Sequence, residues 1–153
     1  MFTPKGTLPK PVGGAGRLLR VTDAMNDDGG LFDGVPYDYV SVVHEGSLVF
    51  TAGACPLDED GQVVAPDDPI AQADRCVTNL ANALALAGAS LENLVRTTIY
   101  VVGDRDELAA VWDVVALRLA PHRPPSTLLG VRALGYPQQL VEIDGVASLS
   151  PRR

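Results

Sequence analysis

The sequence predicts an α+β fold in which a mixed β-sheet carries two helices on one face. Strand-like and helical stretches follow one another in the order β-β-α-β-α-β-β. Each helical stretch has one apolar stripe, and two such helices are a natural cover for one face of a sheet of this size. The other face of the sheet is then left without a cover.

The two helices have clear boundaries. Asp68 is a good N-cap for the first helix, Pro69 suits its first position, and Gly88 suits its C-terminal end. Its apolar stripe consists of Ile70, Ala73, Val77, Leu80, Leu84 and Ala87. The second helix begins near Asp104 or Asp106 and ends at Pro121. Its apolar side carries Leu108, Val111, Trp112, Val115 and Leu119.

The strands are marked by β-branched and aromatic residues. Residues 95–102 form the strongest strand, in which Val95, Thr97, Ile99 and Val101 share one face. A hairpin is expected between residues 40–43 and 48–52, with Gly46 supplying a positive φ angle. The last two strands are expected at about residues 127–133 and 140–147. In the latter, Val141 and Ile143 point inward, and Glu142 lies on the other face.

Composition limits the classes of function. The net charge of −7 argues against nucleic acid as the main partner, because phosphate binding requires clustered Lys and Arg. The chain has two cysteines and two histidines, without a Cys-x-x-Cys spacing, so we expect no metal site and no disulfide framework. With no long apolar run and no signal-like N-terminus, we expect a cytoplasmic protein without a membrane partner.

The first 35 residues are rich in Gly, Pro and Asp, which predicts an N-terminal extension that is partly extended or mobile. A short strand is expected in it around Leu18, Leu19 and Val21. Residues 36–150 are expected to form a single domain.

Several motifs, taken in order, resemble the YjgF family, also called the reactive-intermediate-deaminase (Rid) family. They are residues 46–58 (GSLVFTAGACPLD), the helix positions Gln72 and Asn79, and residues 95–102 (VRTTIYVV), 123–131 (RPPSTLLGV) and 140–147 (LVEIDGVA). The resemblance covers roughly residues 36–148. It implies a chorismate-mutase-like, YjgF-like fold and a homotrimer with its sheets facing inward, three clefts between subunits, and no cofactor.

The resemblance also implies an activity, because active members hydrolyse enamines and imines such as 2-aminoacrylate to a ketone and ammonia. A glutamate on their last strand positions water, and it matches Glu142 here. A Pro-Tyr pair near the N-terminus matches Pro36 and Tyr37. The family's arginine, which pairs with the substrate carboxylate, is missing. In the family pattern Arg-Pro-x-Arg, the first arginine matches Arg123 and the second matches Ser126.

Two more positions of the cleft follow from the resemblance. Trp112 stands where many members have an asparagine, and Cys55 lies in a loop that borders the cleft. The expected small-molecule site therefore has Glu142 as its catalytic residue. Its substrate-binding residues are Tyr37, Ser126, Arg123, Trp112 and Cys55.

Each of these residues also has a purely structural interpretation. Glu142 fits a solvated strand face, Tyr37 and Trp112 fit packing aromatics, and Cys55 fits a small buried hydrophobe. Ser126 lacks the Gly-x-Ser-x-Gly elbow of a serine hydrolase. At the level of function, the alternatives to an imine deaminase are a non-catalytic binding or chaperone-like trimer and an endoribonuclease.

Overall fold

The computed structural model describes residues 19–20 and 35–150. The elements are β1 Leu19–Arg20, β2 Ser41–Val42, β3 Ser47–Phe50, α1 Pro69–Leu86, β4 Leu94–Val101, α2 Arg105–Leu119, β5 Ser126–Gly130 and β6 Val141–Leu149. A 3-10 turn at Leu91–Asn93 precedes β4.

Four strands form a mixed sheet in the order β3-β6-β4-β5. β4 and β5 run parallel and are joined through α2, whereas β6 is antiparallel to both β3 and β4. Buried residues of both helices and of one face of the sheet make up a single core. The predicted α+β fold, a mixed sheet with two helices on one face, is confirmed.

The helix boundaries agree with the sequence signals. The Asp68 carboxylate accepts hydrogen bonds from the backbone N–H groups of Ile70 and Ala71, at 2.9 and 3.0 Å. Gly88, just past α1, has a φ angle of +76°, which favours glycine. At α2, Asp104 and Glu107 form a capping box.

The predicted apolar stripe of α1 is correct for its central residues and wrong for its first and last residues. Ala73, Val77, Leu80 and Leu84 are fully buried. Ile70 is 49% exposed and Ala87 is exposed as well. Ile70 instead borders a surface groove between the two helices. Two residues outside the predicted stripe, Gln72 and Cys76, are fully buried.

Two of the strand predictions are wrong in part. β3 pairs with β6, and β2 pairs with β1, so the predicted hairpin between the second and third strands is wrong. Gly46 keeps the predicted positive φ, at +119°, and it is also closely packed: a Cβ atom there would lie 2.0 Å from the carbonyl oxygen of Leu149. A register shift between Leu94 and Arg96 leaves Val95 only half-buried and turns Leu94 into the core instead.

The N-terminal strand pairing involves residues outside the main sheet. β1 lies within the stretch where a short strand is expected from the sequence, although Leu18 and Val21 fall outside the described residues. The division into an extension of residues 1–35 and one domain of residues 36–150 stays a prediction.

Candidate functional site

Glu142 lies on the side of the sheet that faces away from the helices, which we call the open face. Its strand neighbours Val141 and Ile143 are fully buried in the core, whereas Glu142 is half-buried. Oε2 of Glu142 accepts a hydrogen bond from Nε2 of Gln139, at 3.0 Å. The thiol of Cys55 also donates to this oxygen, at 3.6 Å. The predicted face is therefore correct, and the carboxylate is held by neighbours rather than simply solvated.

The second carboxylate oxygen of Glu142 lies directly over Gly53. A Cβ atom at position 53 would be 1.8 Å from Oε1 and 2.5 Å from Cδ of Glu142. Ala54 pairs with Ile143 through two backbone hydrogen bonds, of 2.7 and 3.2 Å, which fixes Gly53 beside β6. The carboxylate can occupy this place because residue 53 has no side chain.

The loop that carries Cys55 is held in place by α1. Nδ2 of Asn79 donates to the carbonyl oxygens of Cys55 and Leu57, at 2.8 and 3.0 Å. Nε of Arg75 donates to the same Leu57 carbonyl, at 2.8 Å. The helix position Asn79, singled out in the sequence, therefore has a local structural role, since it positions the loop beside Glu142.

The Cys55 thiol is a poor nucleophile in this setting. Partial burial, and then the negative charge of Glu142, raise the pKa of Cys55 above its ordinary value. Since the thiolate is the reactive form, a raised pKa lowers reactivity. Cys55 is half-buried and contacts Glu142, so it belongs to the candidate site as a weak hydrogen-bond donor.

A second group of predicted residues lies between α2 and the approach to β5. The rings of Tyr37 and Trp112 make a T-shaped contact with centroids 5.9 Å apart. Nη2 of Arg123 donates to the carbonyl oxygen of Val35, and the backbone oxygen of Arg123 accepts from Asp38 N at 2.8 Å. These contacts fasten the segment before β2 onto the approach to β5. One guanidinium N–H group of Arg123 is therefore used in a hydrogen bond to the protein backbone.

The hydroxyl of Ser126 is already used inside the chain. It donates to the carbonyl oxygen of Pro124 at 2.9 Å and lies 2.7 Å from Oγ1 of Thr97. Because a serine hydroxyl has one proton, Thr97 is the donor in the second bond. The space bounded by Ser126, Trp112 and Arg123 measures about 10 Å³, which is room for roughly one water molecule.

Within one chain these two groups are separate. Ser126 pairs with Thr97, a fully buried residue, on the helix side of the sheet. Glu142 pairs with Tyr100, three residues further along β4, on the open face. A single chain therefore does not bring Tyr37, Ser126 and Glu142 into one cleft, and the shared site stays a prediction.

The open face is partly apolar. Phe50 is 72% exposed, and Leu48 and Leu129 are 48% and 42% exposed. The hydroxyl of Tyr100 donates to Oδ2 of Asp144 at 2.9 Å, and this bond to a carboxylate raises the pKa of Tyr100. The face thus combines exposed apolar side chains with polar groups that are already paired.

Other candidate sites are weak. A groove of about 500 Å³ between α1 and α2 is shallow, and none of the predicted site residues lines it. Its floor includes the salt bridge between Arg118 and Asp74. Within residues 35–150, no cluster of three or more His, Cys, Asp or Glu could hold a metal ion. No helix in the described part of the chain is long and apolar enough to cross a membrane.

Sequence reasoning missed two residues of the site, Gly53 and Gln139. Gly53 lies inside the GSLVFTAGACPLD motif, so its place was visible although its contact with Glu142 was not. Gln139 is only 3% exposed, yet it stands in a polar turn sequence that suggests a solvated loop.

Comparison with known proteins gives consistent matches. The family model described as "Endoribonuclease L-PSP" matches residues 35–149. Protein DfrA of Myxococcus xanthus is 32% identical over 112 residues, which are 73% of this chain and 84% of DfrA. The 3-aminoacrylate deaminase RutC of Acinetobacter baylyi is 30% identical over 109 residues, 71% of this chain and 85% of RutC. The Rid-family protein YyfB of Yersinia pestis, whose function is described as unknown, has a TM-score of 0.71 at 28% identity, over 78% of this chain and 93% of YyfB.

Proposed function

Because this chain belongs to the Rid family, also called the YjgF family, we propose that it is a cytoplasmic homotrimer that binds a small imine or enamine between subunits and hydrolyses it. The observation that carries the proposal is the Glu142 carboxylate, half-buried and fixed by Gln139, Cys55 and the bare backbone of Gly53. The deaminase name of the relative RutC supports the reaction class.

The proposed cleft combines the two groups of residues from different subunits. Glu142 on the open face of one subunit would meet the group of Tyr37, Trp112 and Ser126 on its neighbour. Exposed apolar residues such as Phe50 support association through the open face, because exposed apolar area of this kind often marks an interface.

In the proposed reaction, Glu142 acts as a general base and then as an acid. Its carboxylate takes a proton from water while the water oxygen bonds to the imine carbon. The proton goes to nitrogen, which gives a carbinolamine. Glu142 then takes the hydroxyl proton and passes it to nitrogen as the carbon–nitrogen bond breaks, so that a ketone or aldehyde and ammonia leave. Imine and water are the only reactants, so the step needs no cofactor.

The proposed ligand has no carboxylate. Arginine holds a carboxylate with two parallel hydrogen bonds, whereas the Ser126 hydroxyl already donates to Pro124. A hydrogen bond to a charged group contributes about 1.5–3 kcal/mol, so a carboxylated imine should bind roughly tenfold to hundredfold more weakly than to a member that has the arginine. Neutral or cationic imines fit the groups around Glu142 better.

The test compares ammonia release from two sets of imines, generated in situ by an amino-acid oxidase and by an amine oxidase. We expect the protein to accelerate hydrolysis of the second set, and Glu142→Ala and Glu142→Gln to lose about 100-fold or more of that rate. Glu92→Gln, at an exposed acid in the 3-10 turn, is the matched control and should keep it. Equal rates for wild type and Glu142→Gln would refute the proposed enzyme.

A non-catalytic binding trimer is the second candidate. It is favoured by the Ser126 hydroxyl, which already makes hydrogen bonds to Thr97 and Pro124 within the chain. It predicts ligand binding that is lost on mutation of the cleft, with no ammonia release at any pH. The description of the family model names an endoribonuclease. The net charge of −7 opposes RNA binding, so RNA cleavage that persists through repeated purification would be needed to support that activity.

A further inference from the structure

Gln139 is the most unusual residue near Glu142. It is 3% exposed, and its side-chain amide makes three hydrogen bonds. Nε2 donates to Oε2 of Glu142 at 3.0 Å and to the carbonyl oxygen of Val141 at 3.2 Å. Oε1 accepts from the backbone N–H of Tyr136 at 3.0 Å. One buried amide therefore connects the turn before β6 to the Glu142 carboxylate.

The backbone on both sides of Gln139 is fixed by another buried amide. Nε2 of Gln72 on α1 donates to the carbonyl oxygen of Gln138, and Oε1 of Gln72 accepts from Leu140 N, at 3.0 and 2.7 Å. Gln138 has a φ angle of +64°, which is costly for a residue other than glycine. Such a conformation persists only where the surroundings impose it. The position of Gln139 is thus imposed by the core and is not that of a free loop residue.

We infer that Gln139 is a positioning residue, which fixes the Glu142 carboxylate for the reaction proposed above. Both hydrogen bonds to this carboxylate, from Gln139 and from Cys55, reach Oε2. Among the described residues none donates to Oε1, so this oxygen is the one that takes the proton from water. A neutral amide keeps donating at every working pH, which makes it a constant orienting group. The catalytic part of the inference rests on the proposed function, whereas the orienting contact does not.

Two substitutions at Gln139 separate positioning from a structural role. Gln139→Glu keeps an oxygen that accepts from Tyr136 N but places a carboxylate against Glu142. Gln139→Met keeps the length of the side chain and removes all three hydrogen bonds. Gln62→Met makes the same chemical change at an exposed position of another turn and serves as the control. A purely structural Gln139 predicts that both variants lose stability and that the folded protein keeps its kcat.

A positioning role for Gln139 predicts a loss of kcat at neutral pH. kcat for imine hydrolysis should fall about 10- to 100-fold in Gln139→Met and further in Gln139→Glu, with KM nearly unchanged. Activity of Gln139→Glu should recover as the pH falls, because the introduced carboxyl group can donate again once it is protonated. An unchanged kcat in both variants, or a glutamate variant as active as wild type at neutral pH, would overturn the inference.

A second readout does not depend on activity. The ¹³C signal of the Glu142 side-chain carboxyl, assigned by its loss in Glu142→Gln, should shift in both Gln139 variants and stay in place in Gln62→Met. A shift in a protein that hydrolyses no imine would refute the proposed function and keep the orienting contact. A signal that is the same in all variants would refute the contact itself.

Discussion

Ser126 and Glu142 differ in how far the polar atoms of their side chains are already used in hydrogen bonds within the chain. The Ser126 hydroxyl is satisfied within the chain by Pro124 and Thr97, and it faces the helix side of the sheet. Glu142 is held by side chains from two other segments and keeps one oxygen without a protein donor among the described residues. In the proposed function, serine in place of the arginine therefore changes which ligand is held and leaves Glu142, the proposed general base, intact.

Cys55 allows a test of the electrostatics at Glu142. We expect Cys55 to react slowly with Ellman's reagent at mildly alkaline pH, because burial and the Glu142 charge raise its pKa and keep little thiolate present. Glu142→Gln removes the charge, lowers the pKa of Cys55 and should speed the reaction at the same pH.

The second thiol gives the control for that measurement. Cys76 is fully buried and donates to the carbonyl oxygen of Val141 at 3.4 Å, and burial raises its pKa strongly. Cys55→Ser should therefore show no reactive thiol until guanidinium unfolds the chain. A native rate that is equal in wild type and Glu142→Gln would contradict the proximity of the thiol and the carboxylate.

For single residues, the sequence predicted the face of the sheet on which a side chain lies better than it predicted the residues that the side chain contacts. Alternation along residues 140–147 placed Glu142 opposite Val141 and Ile143, because successive residues of a strand point to opposite faces. The hydrogen bond between Gln139 and Glu142 depends on the left-handed conformation of Gln138. Because residue 138 is not a glycine, the sequence does not indicate that conformation. The hydrogen bond from Arg123 to Val35 O joins segments distant in sequence, so no local pattern indicates it.

Among the elements, the helices were predictable and the strand pairing was not. Caps such as Asp68 and Asp104 act on the next few residues, so local sequence suffices to place a helix start. Strand partners are chosen by burial over long sequence distances. The Gly46 turn was a valid local signal, yet β3 pairs with β6 at the other end of the domain because their shared face completes the core.

The junction between α1 and the last strand depends on Gln72. Its side chain bonds to Ala65 O, Gln138 O and Leu140 N, and it is fully buried. Gln72→Met should leave Gln138 O and Leu140 N without a partner, whereas Ala65 O keeps its hydrogen bond from Asp68 N. The cost is about 1–3 kcal/mol for each orphaned group that water cannot reach.

The measurement for Gln72 is urea unfolding followed by circular dichroism, with Gln62→Met at an exposed turn position as the matched control. We expect the Gln72 variant to lose stability and the Gln62 variant to stay within about 0.5 kcal/mol of wild type. Equal midpoints for the two variants would mean that the amide bonds of Gln72 contribute nothing net.

For the whole molecule, the two faces of the sheet differ in how much of their apolar surface is covered within the chain. The helix face is covered within the chain by a continuous core. The open face keeps Phe50, Leu48 and Leu129 exposed beside the paired polar groups of Tyr100 and Asp144. The sequence pattern alone left this face without a cover, which fits burial against another subunit as well as a solvated face on a monomer. The trimer was expected only from the family resemblance, because no local pattern encodes how a face meets its own copy.

The proposed trimer can be tested with two substitutions of the same kind. Phe50→Asp puts a charge on the open face, where burial against another subunit would be costly, so we expect sedimentation equilibrium to give the mass of one chain. Leu86→Asp makes the same exchange on α1, where the side chain is 93% exposed on the helix side, and should keep the trimer mass. Because the proposed cleft needs two subunits, Phe50→Asp should also lose imine hydrolysis. A wild-type monomer, or a Phe50→Asp protein with the wild-type mass, would show that the open face is not the interface.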